Sequence, residues 1–201
     1  MEMKIKSIKK IINNSKKYDI QVANNHNFYA NNILVHNCSL YYDYYHTRSL
    51  ESNTHESQHW IKNFHANIKT LILPHFRICG ENVYAQHSIK YSQLPSYFLA
   101  FSVWNEDLCL SWDDTTHYCN ELGIKTVNVL YRGIWNESEI KKCYTQNSTY
   151  GGEQEGYVVR LASEFYFDQF KTSIAKFVRA NHVTSNIFWR NKSVIKNGLK
   201  L

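Results

Sequence analysis

The stretch Tyr97-Phe98-Leu99-Ala100-Phe101-Ser102-Val103-Trp104 constrains this chain more than any other. It is an apolar run of strand length, broken only by Ser102, and has the pattern of a β-strand buried on both faces. Such a strand cannot stand alone, so the surrounding sequence must supply a sheet and its covering layers. Glu56 to Thr70 reads as a helix, because Trp60, Phe64 and Ile68 recur every four residues. Thr115 to Leu122 reads as a second helix, ended by Gly123. Val127, Val129 and Tyr131 alternate as a strand, and Glu155 to Leu161 reads as another. Glu164 to Arg179 begins as a helical pattern. Together these elements predict an α+β architecture.

Composition changes near residue 38. Residues 1–37 hold eight asparagines and neither glycine nor tryptophan, whereas all five tryptophans follow. This first segment reads as short strands around Lys4 to Lys6, Tyr18 to Val22, Phe28 to Ala30 and Ile33 to Val35. Asn24-Asn25 and Asn31-Asn32 mark turns between them. So short a piece buries little core by itself and is expected to need a partner to fold. It also carries most of the net charge of +6: six lysines against Glu2 and Asp19 leave only +2 for the rest. The basic balance is therefore weak evidence for nucleic-acid binding by the larger part.

No apolar stretch is long enough to span a membrane, and the lysine-rich start lacks the apolar core of a signal peptide. A cytoplasmic protein without a membrane partner is expected. The five cysteines are odd in number and form no Cys-x-x-Cys pair, which argues against a disulfide framework or a zinc knuckle. Four of them read as small buried residues; Cys38 reads differently.

Tyr18-Asp19-Ile20, His26-Asn27-Phe28 and Val35-His36-Asn37 followed by Cys38 resemble the C-terminal end of inteins, in order and in spacing. A thiol after a scissile bond can attack a thioester carried by an upstream chain. An asparagine amide can attack its own carbonyl and break the following bond, with histidines moving the protons. The resemblance implies Cys38 as nucleophile, Asn37 as the cyclising residue, His26 and His36 as proton carriers, and Asp19 as the acidic residue tuning the earlier steps. The 37 residues suit a short all-β (Hint-type) C-fragment of a split intein. The implied reaction is trans-splicing with an N-terminal intein fragment on a separate polypeptide.

From Cys38 onward the chain is similar to ATP-dependent RNA ligases of the covalent nucleotidyltransferase superfamily. His46-Thr47-Arg48 matches the region after the nucleophile, with Arg48 implied at phosphate. Ile78-Cys79-Gly80-Glu81 matches the motif whose glutamate meets the ribose. The apolar run supplies the aromatic that stacks on adenine, Phe101 by first choice and Phe98 as alternate. Glu155-Gly156-Tyr157-Val158-Val159-Arg160 matches the motif whose glutamate supports a divalent metal, implying Glu155 as a Mg2+ ligand. Lys176-Phe177-Val178-Arg179 resembles the last motif, with Lys176 at the α-phosphate and Arg179 beside it. Cations on phosphate and carboxylates on metal suit phosphoryl transfer, where catalysis is mostly positioning and charge stabilisation. The implied cofactors are ATP and Mg2+, and the implied substrates are RNA 5′-phosphate and 3′-hydroxyl ends.

One departure outweighs these matches. The family's nucleophile lies in Lys-x-Asp-Gly just ahead of the Arg48 region, and this chain contains no Asp-Gly pair. The domains expected are therefore 1–37, intein fragment, and 38–201, ligase nucleotidyltransferase domain without its first motif. The missing lysine would arrive with the N-terminal half of the ligase on the splicing partner. The alternative is a non-catalytic nucleic-acid-binding remnant behind a decayed intein piece. A distant third is a zinc peptidase, because His55-Glu56-Ser57-Gln58-His59 fits His-Glu-x-x-His. Lys62 stands where that class needs a helix-ending glycine, and a continuing helix would carry His65 round to another side.

Overall fold

A computed structural model describes residues 37–47, 56–86, 89–179 and 193–200. The strands expected within residues 1–36 lie outside them. The described chain runs β1 (Asn37–Leu40), β2 (Tyr45–His46), α1 (Glu56–Ile68), β3 (Phe76–Asn82), β4 (Phe98–Asn105), β5 (Leu108–Cys109), α2 (Trp112–Glu121), α3 (Glu137–Lys142), β6 (Gly156–Arg160), β7 (Phe165–Tyr166), α4 (Phe170–Ser173) and β8 (Ile174–Val178). Strands β2-β1-β3-β4-β5-β7 form one antiparallel sheet, and β6 pairs with β8 in a second. The mixed α+β expectation holds for the described part.

The apolar run is β4, at the centre of the larger sheet, and six of its eight residues are buried. One face packs Cys38, Leu40, Ile78, Phe98, Ala100 and Val103 against Ile61 and Ile68 of α1 and Cys119 of α2. Full burial of such side chains contributes roughly 1.5–3 kcal/mol each. Helix α1 begins where the four-residue spacing places it, and a 3-10 turn over Lys69–Leu71 ends it. Helix α2 starts three residues earlier than expected. Its start is set by Ser111, whose Oγ accepts the Asp114 N–H at 3.1 Å. Gly123 then takes φ +68° behind the last turn, a conformation that favours glycine.

Two expectations are corrected. Val127, Val129 and Tyr131 form no strand. The chain there makes one parallel bridge, Thr126 to Ala100, and then leaves the sheet, with Val129 and Tyr131 exposed. Glu164 to Arg179 is not a helix beyond one turn. Phe165 enters a second core with Trp104 and Cys109, and Ile174-Ala175-Lys176-Phe177-Val178 alternates as β8 because β6 offers it a full ladder.

The β3–β4 register holds one irregularity. Cys79 pairs with Ser102 and Gly80 with Ala100, so Phe101 is the extra residue of a bulge. Gly80 is required at that point. A Cβ there would lie 2.4 Å from Phe98 Cζ and 2.7 Å from the Leu99 carbonyl oxygen.

Candidate functional site

The bulge prepares the site. It leaves the Phe101 carbonyl outside the β3–β4 pairing, and Arg160 of β6 satisfies that oxygen through Nη1 at 3.2 Å. Arg160 Nη2 donates to the Leu110 carbonyl at 2.9 Å, and its guanidinium stands over the rings of Trp112 and Phe165. One side chain thereby ties the two-stranded sheet to the six-stranded one. Lys176 pairs with Val158 in register, two residues from the Arg160–Ile174 pair. Side chains alternate along a strand, so Lys176 and Arg160 share the face that looks toward β3 and β4.

Glu81, near the end of β3, meets that face. It keeps some solvent exposure yet is densely surrounded by protein, and burial pushes its carboxyl above the ordinary range. The Lys176 ammonium opposes that shift and the Glu155 carboxylate adds to it. Glu155 is exposed immediately before β6. Arg179, immediately after β8, donates its backbone N–H to the Glu155 carbonyl at 2.9 Å and pairs with Glu153. Arg179 Nε is buried and meets no hydrogen-bond partner among the described residues.

Glu81, Glu155 and the Lys176–Arg179 segment thus come together from three separate places in the sequence. Phe101 is partly exposed at the bulge, whereas Phe98 is fully buried in the helix-side core and cannot stack on a ligand. Arg48, Asp19, His26 and His36 lie outside the described residues, as does the Asn37 side chain. Cys38, the implied splicing nucleophile, lies inside the sheet. It is 2% exposed within β1, and burial pushes its thiol up to about 12.

The residues present fit a nucleotide with its metal. Among the described residues no three metal-ligating side chains gather. Two carboxylates are nevertheless what Mg2+ uses when substrate phosphates complete its shell. The zinc arrangement is not formed by His59 and His65. Helix α1 continues past both, His59 is exposed, and buried His65 bonds through Nε2 to the Tyr41 carbonyl oxygen at 2.7 Å. His55 lies outside the described residues.

Sequence reasoning missed two neighbours. Arg160 carried a signal, as a cation inside an otherwise apolar strand. Tyr91 carried none, since it reaches the cluster from a loop. Burial raises its phenol above the ordinary range, with the Glu155 and Glu81 charges adding to the shift and Arg179 opposing it, and its ring meets Tyr150 edge-on at 6.4 Å.

Among the described residues no helix is long and apolar enough to cross a membrane. Comparison with curated proteins and with solved structures gives no match. A family model for RNA ligase matches residues 26–178, a range that opens ahead of the Asn37–Cys38 bond and closes at the end of β8. That range includes Glu81, Phe101, Glu155 and Lys176 and covers most of the 201 residues, and the chain belongs to the RNA ligase family.

Proposed function

We propose that this chain carries the nucleotide-binding part of an ATP-dependent RNA ligase that seals RNA 5′-phosphate and 3′-hydroxyl ends. In this reading it gains its nucleophilic lysine by trans-splicing at Asn37–Cys38. The partner is an N-terminal intein fragment bearing the ligase N-terminal half. The observation that carries the reading is the register of β1. Cys38 stands opposite Gly80 and residue 37 opposite Glu81. Any polypeptide joined to Cys38 therefore delivers its last residue beside the carboxylate of the nucleotide site, where the family's lysine motif belongs. Glu81 and Phe101 would hold the nucleoside, Lys176 and Arg179 the α-phosphate, and Glu155 a Mg2+ that neutralises developing phosphate charge.

Splicing places a condition on the fold. Cys38 inside the sheet is neither accessible nor ionised near neutral pH, so it attacks only while β1 is undocked. Once joined, Cys38 becomes core.

A second reading has its own support. The family match opens twelve residues ahead of Cys38 (38 − 26 = 12), and Asn37 and Cys38 lie in one strand. Residues 26–37 would then be ligase sequence that has lost the lysine, leaving a non-catalytic RNA-binding remnant.

Mixing the chain with candidate N-terminal partners and following intact mass separates the two. Splicing releases a 37-residue fragment and yields a longer product; Asn37→Ala blocks release and Cys38→Ala blocks joining. Joined product from both variants would refute splicing. The joined product, and not this chain alone, is expected to form lysyl-AMP from ATP. Adenylation of the isolated chain overturns the account of the missing lysine.

A further inference from the structure

The second sheet has an open edge. Arg179 N–H donates to the Glu155 carbonyl and Leu161 N–H to the Ser173 carbonyl, at the two ends of the β6–β8 ladder. Antiparallel strands exchange hydrogen bonds at every second pair, so Tyr157–Phe177 and Val159–Ala175 are the bonded pairs between those ends. The N–H and C=O groups of Ile174, Lys176 and Val178 therefore point away from β6. The Ile174 N–H donates to the Phe170 carbonyl. The Ile174 carbonyl, both groups of Lys176 and both of Val178 meet no backbone partner among the described residues. The β6 edge is less free, because the Gly156 carbonyl accepts a bond from Gln154 Nε2 at 3.2 Å. Neither strand has a buried residue, and Val158 and Phe177 are 56% and 41% exposed. Two strands alone are seldom stable in water, and an unpaired row of backbone groups is a template for another strand.

We propose that the outer edge of β8 is a docking site for an extended strand of the ligase N-terminal half, laid beside Ile174–Val178. The proposal rests on the reading above, in which a separate half completes this chain. Polypeptide joined to Cys38 leaves β1 beside Glu81, so the arriving half sets out from the cleft that this sheet walls. A second copy of this chain fits the edge poorly. Strand β8 paired antiparallel with itself about its midpoint sets Lys176 directly opposite Lys176, and like charges so placed are destabilising. An incoming strand with an acidic or uncharged residue opposite Lys176 meets no such conflict. Paired residues point their side chains to the same face, so that residue shares the face of Lys176 and Arg160 and adds a side chain to the candidate site.

Residue-resolved hydrogen exchange tests the edge, in the full chain and in its spliced product with a candidate N-terminal half. In the chain alone the Lys176 and Val178 amides are expected to exchange quickly, and the Ala175 and Phe177 amides, which face β6, more slowly. In the spliced product the Lys176 and Val178 amides are expected to slow by about tenfold or more, as a new hydrogen bond to each requires. The Val158 amide, on the opposite edge, is expected to stay fast. Slow exchange at Lys176 and Val178 in the chain alone would show the edge already paired. Protection that grows with the concentration of the chain alone would assign the edge to a second copy. Either result overturns the proposal, as does a spliced product in which Val158 slows in their place. Val178→Pro removes an edge donor that has no partner in the chain alone. It is expected to leave the melting temperature of the isolated chain unaltered and to lower that of the spliced product. Equal shifts in both, or none in either, overturn the proposal. Failure of every candidate half to splice overturns the splicing reading and this proposal with it. Splicing without new protection of Lys176 and Val178 overturns this proposal alone.

Discussion

Glu81 and Asn37 are register partners across β3 and β1, so the residue preceding Cys38 lies against the most enclosed carboxylate of the candidate site. The strand that brings in the upstream chain and the strand that bears Glu81 are immediate neighbours. Changes around Cys38 and changes around Glu81 are therefore coupled through one ladder of hydrogen bonds.

Glu81→Gln is expected to stabilise the fold near neutral pH while removing nucleotide binding. Burial raises the Glu81 carboxyl above its ordinary value of 4.5. The folded state then holds this proton more tightly than the unfolded one, and stability falls as pH rises from the ordinary value through the raised one. The variant lacks that loss. Its melting temperature should exceed the parent's at pH 7, and the two should converge below pH 4.5. A difference that grows toward acid would reverse the sign and refute the assignment.

Gly80→Ala places a methyl group into the Phe98 ring and the Leu99 carbonyl. Overpacking of this kind costs typically about 1–3 kcal/mol. Because Gly80 adjoins both Glu81 and the bulge, urea unfolding should show a lower midpoint, accompanied by weaker ATP binding. A variant as stable as the parent would show that the bulge relaxes freely.

Arg160→Lys should separate the two sheets in spite of keeping the charge. A single ammonium cannot reach the Phe101 and Leu110 carbonyls together or lie flat over Trp112 and Phe165. The expected loss is about 1–3 kcal/mol for the unsatisfied carbonyls. Increased amide exchange in residues 156–160 would locate it. Unaltered exchange there would mean that other contacts hold the second sheet.

Native-state alkylation should spare Cys38, Cys109 and Cys119, which are buried with thiols raised by burial, and modify the partly exposed Cys143 first. Peptide mapping after iodoacetamide treatment reads the order directly. Rapid labelling of Cys38 without denaturant would mean that β1 is normally undocked.

The central strand and α1 were legible in the sequence. A strand buried on both faces and a four-residue apolar repeat leave few alternatives, whereas Glu81, Glu155 and Lys176 were picked out only by resemblance to a family. The segment from Glu164 to Arg179 was not legible, because its local pattern admits helix and only the ladder offered by β6 decides for strand. Val127 to Tyr131 alternates like a strand but finds no second partner beyond Ala100. Phe101 was separable from Phe98 only by the bulge, which is a property of the pairing and not of β4 alone. The bond between Tyr91 and Asn197 was invisible for the same reason: it exists only as a contact 106 residues apart.

That separation bears on how the molecule is made. A hydrogen bond spanning 106 residues cannot form until all the intervening chain has been synthesised, and loop closure over such a distance is entropically slow to reward. The helices and the β3–β4 hairpin can assemble early, with Glu81 already in its strand. The loop after Glu81 is fastened only when the segment around Asn197 arrives to latch it, so that loop is among the later parts of the described fold to settle as the chain is made.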